Sequence, residues 1–475
     1  MGDGETPRGG DDRELAFAGI ARQAELIRAG EVSARELTEL YLARIDRLGG
    51  ELNCFTTVLG ERALAEADQA DARRAAGEDR PLLGVPVAIK DNVDVAGTVT
   101  TLGTAAHGPA ATHDAELVRR LRAAGCVIIA KTTLPELAIM GTTEGPAFGV
   151  TRNPWDLDRT PGGSSGGSGA AVAAGLVGVG HATDGAGSIR IPAACCGLFG
   201  LKPQRGRIPL APDPEDHWNN LSVAGAVTRG VLDNALFLDA VAGPGPAPGG
   251  PPLERPFADA ARETPGRLRI AISLRPPLLA RVAPEVRRGI DETADLLRSL
   301  GHDVAYAEPP LTEWLSEVLP RYLKGIEADA ARVARPDRLA RRTRGFARLG
   351  AAIPQAALDR ALRIEGKIAE RYNSILADRD VLVTPTMATP PPRADQWEGL
   401  SALRTMVEMP MVYPYCVIWN ATGQPAAAIP AGFTADGLPL SAQLVAAPGR
   451  DHLLLSLAAQ MEAERPWADR TPPLS

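Results

Sequence analysis

Lysine is scarce in this chain. Of 51 basic residues only five are lysines: Lys90, Lys131, Lys202, Lys324 and Lys367. Arginine keeps its proton inside a protein, whereas a buried lysine can release it, so a lysine near a glycine-rich segment is a candidate base. Cysteine is equally sparse. Cys54, Cys126, Cys195, Cys196 and Cys416 are odd in number, scattered and without a CxxC pair. That argues against a disulfide framework and a structural zinc site, and suits a reducing compartment. No metal and no cofactor is expected. No run approaches the ~18–20 apolar residues of a membrane span. Net charge is −7, so no basic field favours nucleic acid. The acidic, glycine-rich start, MGDGETPRGGDDRE, lacks the basic and apolar regions of a signal peptide. A frayed cytoplasmic tail is expected there. Met1-Gly2 with Thr6 fits a myristoylation pattern, but no second anchoring signal accompanies it.

The 475 residues are 45% apolar and 23% charged, enough for a large core. Residues 13–49 predict two helices. The second starts on a capping box, Ser33 to Glu36, carries Leu37, Leu40, Tyr41, Ile45 and Leu48, and stops at Gly49-Gly50. An alanine-rich helix is expected over 60–76. Apolar runs at 85–89 and 126–130 flank a helical pattern at 114–124, which argues for an α/β sheet with parallel portions. Residues 243–256 are a proline- and glycine-rich link. Strand patterns at 268–272, 380–383 and 441–445 follow it, with helical stretches at 284–300, 312–377 and 452–464. The link suits a domain boundary or an insertion within one domain.

The densest chemistry lies at 160–206. One glycine-flanked serine cluster runs Gly162-Gly163-Ser164-Ser165-Gly166-Gly167-Ser168, and a second runs Asp184-Gly185-Ala186-Gly187-Ser188. A phosphate-cradling GxxxxGK[ST] loop and a GxGxxG dinucleotide turn are both missing. Gly163-Ser164-Ser165-Gly166-Gly167 matches G-x-S-x-G, whose usual chemistry needs a later histidine. His181, His217, His302 and His452 lie in no comparably special stretch and are expected mainly at structural or surface positions. Amide hydrolysis nevertheless needs a nucleophile, a base, a proton for the leaving amine and donors for an oxyanion. Small residues before Ser188 let backbone approach a substrate, and the N–H groups of Gly185, Ala186, Gly187 and Ser188 could face a carbonyl oxygen. Without histidine, a desolvated lysine is the natural base. Lys90 ends an apolar strand at a sheet edge and is the leading candidate. Lys131, also after an apolar strand, is its rival. Lys202 precedes Pro203 and suits backbone support.

These segments resemble the amidase-signature family. The matching stretches are 84–92 around Lys90, 153–156, 161–168, 188–193, 200–203, 383–386, 420–425, 437–439 and 443–445. The resemblance implies a large mixed β-sheet covered by helices on both faces. It implies one domain over 1–475, with a helical part at 1–80, the signature core at 81–242, a helical substrate side at 310–420 and a return to the core at 421–475. It also implies a Ser–cisSer–Lys triad: Ser188 as nucleophile, Ser164 as bridge after a cis peptide bond, and Lys90 as base. The oxyanion hole then falls on Gly185, Ala186, Gly187 and Ser188. Ala186 departs from the glycine of many members; its methyl narrows tolerance for positive φ but removes no donor.

Ser165, Asp184 and Arg190 are expected to support the site, the last two as a pair holding the turn. Thr142, Thr143 and Trp419 are expected at a substrate pocket. The apolar cluster from Met406 to Trp419, with Trp314 and Trp397, suggests an acyl or aryl group. The expected activity is hydrolysis of a carboxamide in the cytoplasm. The expected partners are a small-molecule amide and a second copy of the chain, with no nucleic acid and no membrane. The alternatives are the catalytic subunit of a tRNA-dependent amidotransferase, a biosynthetic acyltransferase with the same triad, and an inactive binding protein on the same fold.

Overall fold

The capping box at Ser33 forms as expected. Its side chain accepts from Glu36 N while Glu36 reaches back to the Ser33 N–H. The helix does not stop at Gly49-Gly50 but continues to Leu52, where left-handed Asn53 ends it. Two interior glycines cost about 1 kcal/mol each. Complete burial of Leu52 just beyond them contributes ~1.5–3 kcal/mol, enough to offset that cost, so tertiary packing overrides the local stop signal.

The computed structural model describes residues 9–242, 255–277, 280–310 and 315–475. The extreme N-terminus with Gly2 and Thr6, most of the 243–256 link and Trp314 lie outside these. Among the described residues the strands are β1 (Phe55–Val58), β2 (Pro86–Lys90), β3 (Val127–Thr132), β4 (Glu144–Gly145), β5 (Gly149–Val150), β6 (Val179–Asp184) and β7 (Phe199–Lys202). They continue with β8 (Val223–Thr228), β9 (Arg269–Ile272), β10 (Asp303–Tyr306), β11 (Val381–Pro385), β12 (Ala426–Phe433) and β13 (Pro439–Ala446). Apart from a β4–β5 hairpin, they form one mixed sheet in the order β1-β3-β2-β6-β8-β7-β12-β13-β11-β9-β10. The sheet runs through strands from both sides of the 243–256 link.

The mixed α/β architecture follows from the strand compositions. β2, β3, β6, β8 and β13 are buried at every position. Strands covered on both faces read as continuous apolar runs, and the covering layers here are helices. β2 lies parallel to both β3 and β6, pairing Ala88 with Gly180. This register brings the carboxyl ends of β2 and β6 side by side, where Lys90 leaves one strand and Asp184 the other. Two short helices, Gly166–Ala173 and Arg190–Cys196, pack on each other at this point. Each is preceded by one of the two serine clusters. Beyond residue 310 the helices Arg341–Ala351 and Gln355–Asn373 both pack on Leu315–Arg332.

Candidate active site

Lys90 is fully buried at the end of β2. Its Nζ donates to Ser164 Oγ at 2.7 Å and to Thr183 Oγ1 at 2.8 Å. Neither partner carries charge. Burial therefore outweighs the attraction of Asp184 and pushes the ammonium from 10.5 down to about 7. The Lys90 backbone N–H donates to His181 Nδ1 at 3.3 Å. Burial, and then the positive charge of Lys90, hold that imidazole down at about 3, so it is neutral at pH 7.

Lys131 has a different setting. Its ammonium lies 2.5 Å from Asp91 in a fully buried ion pair and also donates to Val99 O and Thr100 Oγ1, both at 3.0 Å. All three ammonium protons are engaged in tying β3 to the loop after β2, and none points toward a serine. Lys202 donates to Pro203 O at 3.1 Å.

The Gly163–Ser164 peptide bond is cis. Thr143 holds the loop around it, donating from Oγ1 to Gly162 O at 2.9 Å and accepting from Gly166 N at 3.1 Å. Ser165 Oγ exchanges hydrogen bonds with the Thr183 backbone, each at 3.3 Å. Ser168 Oγ donates to His181 O at 2.7 Å. The first serine cluster is thus laced onto β6.

The second cluster is a turn built around one carboxylate. Asp184 accepts from Gly187 N at 2.6 Å, Ile189 N at 3.1 Å, Asn420 Nδ2 at 2.8 Å and the Arg190 guanidinium at 2.9 and 3.0 Å. Arg190 goes on to Gln443 Oε1 and Asn420 Oδ1, both at 2.7 Å. Both partners of this pair are fully buried. Burial opposes the Asp184 charge, but Arg190, Lys202 and Asn420 prevail and hold the carboxyl far below its usual range. The pair is a scaffold for the turn and leaves no free charge for a substrate.

Ser188 ends that turn. Its hydroxyl has no hydrogen-bond partner among the described residues, and only 9% of the residue is exposed. It lies on the walls of two cavities. The first, about 330 Å³, is lined mainly by apolar side chains, among them Ile139, Ile191, Leu319, Met406, Met409 and Tyr413. The second, about 440 Å³, is the more polar of the two: Asn92, Asp94, Ser164, Thr183, Asp213, His217 and Asp329 stand in its wall beside apolar residues such as Val93, Leu102 and Leu210.

Two expectations change here. Gly187 N–H is occupied by Asp184, which leaves Gly185, Ala186 and Ser188 as the donors available to an oxyanion. Gly187 instead matters for shape. Its φ is +126°, and a Cβ would fall 2.7 Å from Cys416 Cβ and 2.8 Å from Ile191 Cδ1. Ala186 is not among the positive-φ residues, so its methyl strains nothing. The substrate pocket also shifts. Thr142, Thr143 and Trp419 are buried but line neither cavity; Trp419 stands edge-on to Tyr372 at 6.0 Å. From the apolar cluster, Met406, Met409, Met411 and Tyr413 do line the first cavity, while Trp397 does not.

Thr183, His181, His217, Trp218 and Asp329 were not legible as site residues. Thr183 directly precedes Asp184 and its turn, which was an available signal. His217 and Asp329 are 112 positions apart and carry no shared motif. Among the described residues no cluster of histidine, cysteine, aspartate or glutamate could hold a metal ion, and no helix is long and apolar enough to cross a membrane.

An amidase family profile matches residues 36–455. The putative amidase AmiB2 of Mycobacterium tuberculosis is 51% identical over 470 residues, covering 98% of this chain and all of that protein. The 6-aminohexanoate-cyclic-dimer hydrolase of Paenarthrobacter ureafaciens is 36% identical over 487 residues, covering 95% of this chain and 96% of that one. A solved structure of 6-aminohexanoate cyclic dimer hydrolase with its substrate superposes with a TM-score of 0.90 at 34% identity, over 97% of this chain and 99% of that one. With profile, relatives and sheet in agreement, the chain belongs to the amidase-signature family and is a hydrolase of carbon–nitrogen bonds in amides.

Proposed function

We propose that the enzyme cleaves a carboxamide through an acyl-enzyme on Ser188, with Ser164 as proton bridge and Lys90 as base. The observation that carries this reading is the 2.7 Å hydrogen bond between a lysine held near neutrality and a serine that lines the same polar cavity as Ser188. Neutral Lys90 takes the Ser164 proton while Ser164 takes that of Ser188. The Ser188 oxygen bonds to the carbonyl carbon, and the resulting oxyanion rests on the N–H groups of Gly185, Ala186 and Ser188. Such donors contribute ~3–4 kcal/mol each to a transition state. As the C–N bond breaks, Ser164 protonates the departing amine and regains a proton from Lys90. Water then attacks the acyl-enzyme, passes a proton along the same relay, and the acid leaves as Ser188 recovers its hydrogen.

The acyl group would occupy the apolar cavity. The hydrolase relative acts on a cyclic dimer of 6-aminohexanoate, which suits an uncharged aliphatic chain there. The test is a panel of neutral aliphatic and aryl amides run with wild type and Ser188→Ala, reading released amine. Turnover by wild type and its loss in the variant is the expected result. Full turnover by Ser188→Ala, or active enzyme in which a fluorophosphonate fails to label Ser188, would refute the acyl-enzyme. Acid release in water alone separates hydrolysis from acyl transfer to an amine, since a transferase without its acceptor would release the first amine and then stall at the acyl-enzyme.

A further inference from the structure

Among the described residues, only Ala138, Ser188 and Trp218 line both cavities. Trp218 is the large one, and contacts along its edges hold it in place. Its indole Nε1 donates to Asp329 Oδ2 at 2.6 Å, and its ring meets Tyr322 edge-on at 5.2 Å and 86°. His217 Nε2 lies 3.2 Å from the other oxygen of Asp329. Two glycines make room for the indole. A Cβ on Gly185, in the nucleophile turn, would sit 3.1 Å from Trp218 Cε3; one on Gly325, in the helix Leu315–Arg332, would sit 2.8 Å from Trp218 Cγ.

The backbone beneath it is costly. Trp218, Asn219 and Asn220 have φ of 53°, 53° and 67°, three successive residues in the left-handed region. Residues other than glycine rarely adopt it, at about 1 kcal/mol or more each. Asn219 exchanges hydrogen bonds with Arg321 of the same helix, Nδ2 to Arg321 O at 3.0 Å and Arg321 Nε to Asn219 O at 2.7 Å. Strain of this kind persists only where surrounding structure enforces it, and here it sets an indole between two cavities beside an unpartnered serine.

We propose that Trp218 is the specificity-determining partition of this site, held upright by Asp329 as a positioning residue. Resting on the acyl-enzyme reading above, the partition also assigns the two sides of the scissile bond. Ser164, which protonates the leaving nitrogen, lines only the polar cavity. The amine half therefore departs into this more polar cavity and the acyl half occupies the more apolar one. The substrate class is an amide with an uncharged apolar acyl group and a polar, hydrogen-bonding amine.

The test compares two amides of one acyl group, N-hexanoyl-ethanolamine and N-hexanoyl-hexylamine, in wild type, Trp218→Ala, Trp218→Phe, Asp329→Asn and Ser188→Ala. Wild type is expected to favour the ethanolamine amide. Trp218→Ala joins the cavities and should lower that preference roughly tenfold or more, chiefly by lowering KM for the hexylamine amide. Trp218→Phe keeps a ring in place and should retain most of the preference. Asp329→Asn, which leaves only a neutral, weaker acceptor for the indole N–H, should fall between them. Fluorophosphonate labelling of Ser188 in wild type and in the Trp218 and Asp329 variants reports that each is folded and competent. An unchanged preference in a labelled Trp218→Ala, or a wild type that favours the hexylamine amide, overturns the partition. Full turnover by Ser188→Ala instead overturns the acyl-enzyme reading and leaves the preference ratios to be read by themselves.

Discussion

Replacing Lys90 by methionine should abolish hydrolysis and, at neutral pH, make the protein more stable. In an unfolded chain the ammonium releases its proton near 10.5, and in the fold near 7. Between those values the unfolded chain binds more protons, so stability rises with pH across that window. Each pH unit of the difference is ~1.4 kcal/mol. Holding Lys90 in its buried site therefore costs about 4 kcal/mol at pH 7 and about 2 kcal/mol at pH 9. Methionine fills similar space without a charge. It forfeits the hydrogen bonds to Ser164 and Thr183, ~1 kcal/mol each. The variant should then exceed wild type by roughly 2 kcal/mol at pH 7 and match it near pH 9. Lys202, which burial and then Arg190 also hold near 7, is present in both proteins and cancels from the difference. The assay is urea denaturation of both proteins at the two pH values, comparing midpoints at equal m. A stability difference that stays the same from pH 7 to pH 9 would show that Lys90 keeps its proton in the fold, and the base assignment would fall with it.

The same group predicts the rate profile: because the base must be neutral, kcat/KM should fall about tenfold per pH unit below pH 7 and level off above it, with a flat profile from pH 5 to 9 counting against Lys90. Arg190→Met should destabilise by ~3–5 kcal/mol, since it strands the Asp184 carboxylate in a fully buried site; chemical denaturation measures it, and a loss under about 1 kcal/mol would contradict the paired scaffold. Gly187→Ala should lose more than ~100-fold in kcat, the scale of one misplaced oxyanion donor, while KM changes little. Normal turnover by that variant would show that the turn yields without disturbing Ser188.

The legible part of the site was the part written in contiguous motifs. Ser164 and Ser188 announce themselves because backbone approach demands small residues beside them, and Lys90 because lysine is rare here and ends an apolar strand. The strands at 85–89, 126–130, 268–272, 380–383 and 441–445 were readable as apolar runs, whereas β6 is buried throughout yet carries His181, Thr183 and Asp184 and gave no such signal. The stop at Gly49-Gly50 misled because burial of Leu52 offsets what the glycines lose. Assigning Gly187 N–H to the oxyanion failed for a related reason. Nothing in Asp184-Gly185-Ala186-Gly187-Ser188 reveals that the carboxylate turns back onto that donor.

Residue type and local order thus settle which groups can carry charge, accept a proton or tolerate close approach, because those properties belong to single side chains and short turns. Tertiary structure decides everything that depends on distance and desolvation. Lys90 and Lys131 both follow apolar strands, and only the packing separates them: one meets two hydroxyls and is held near neutrality, while the other meets Asp91 in an ion pair. The two cavities and the indole between them likewise arise where Trp218, Asp329 and Ser188 converge from distant parts of the chain, and no local pattern encodes that meeting.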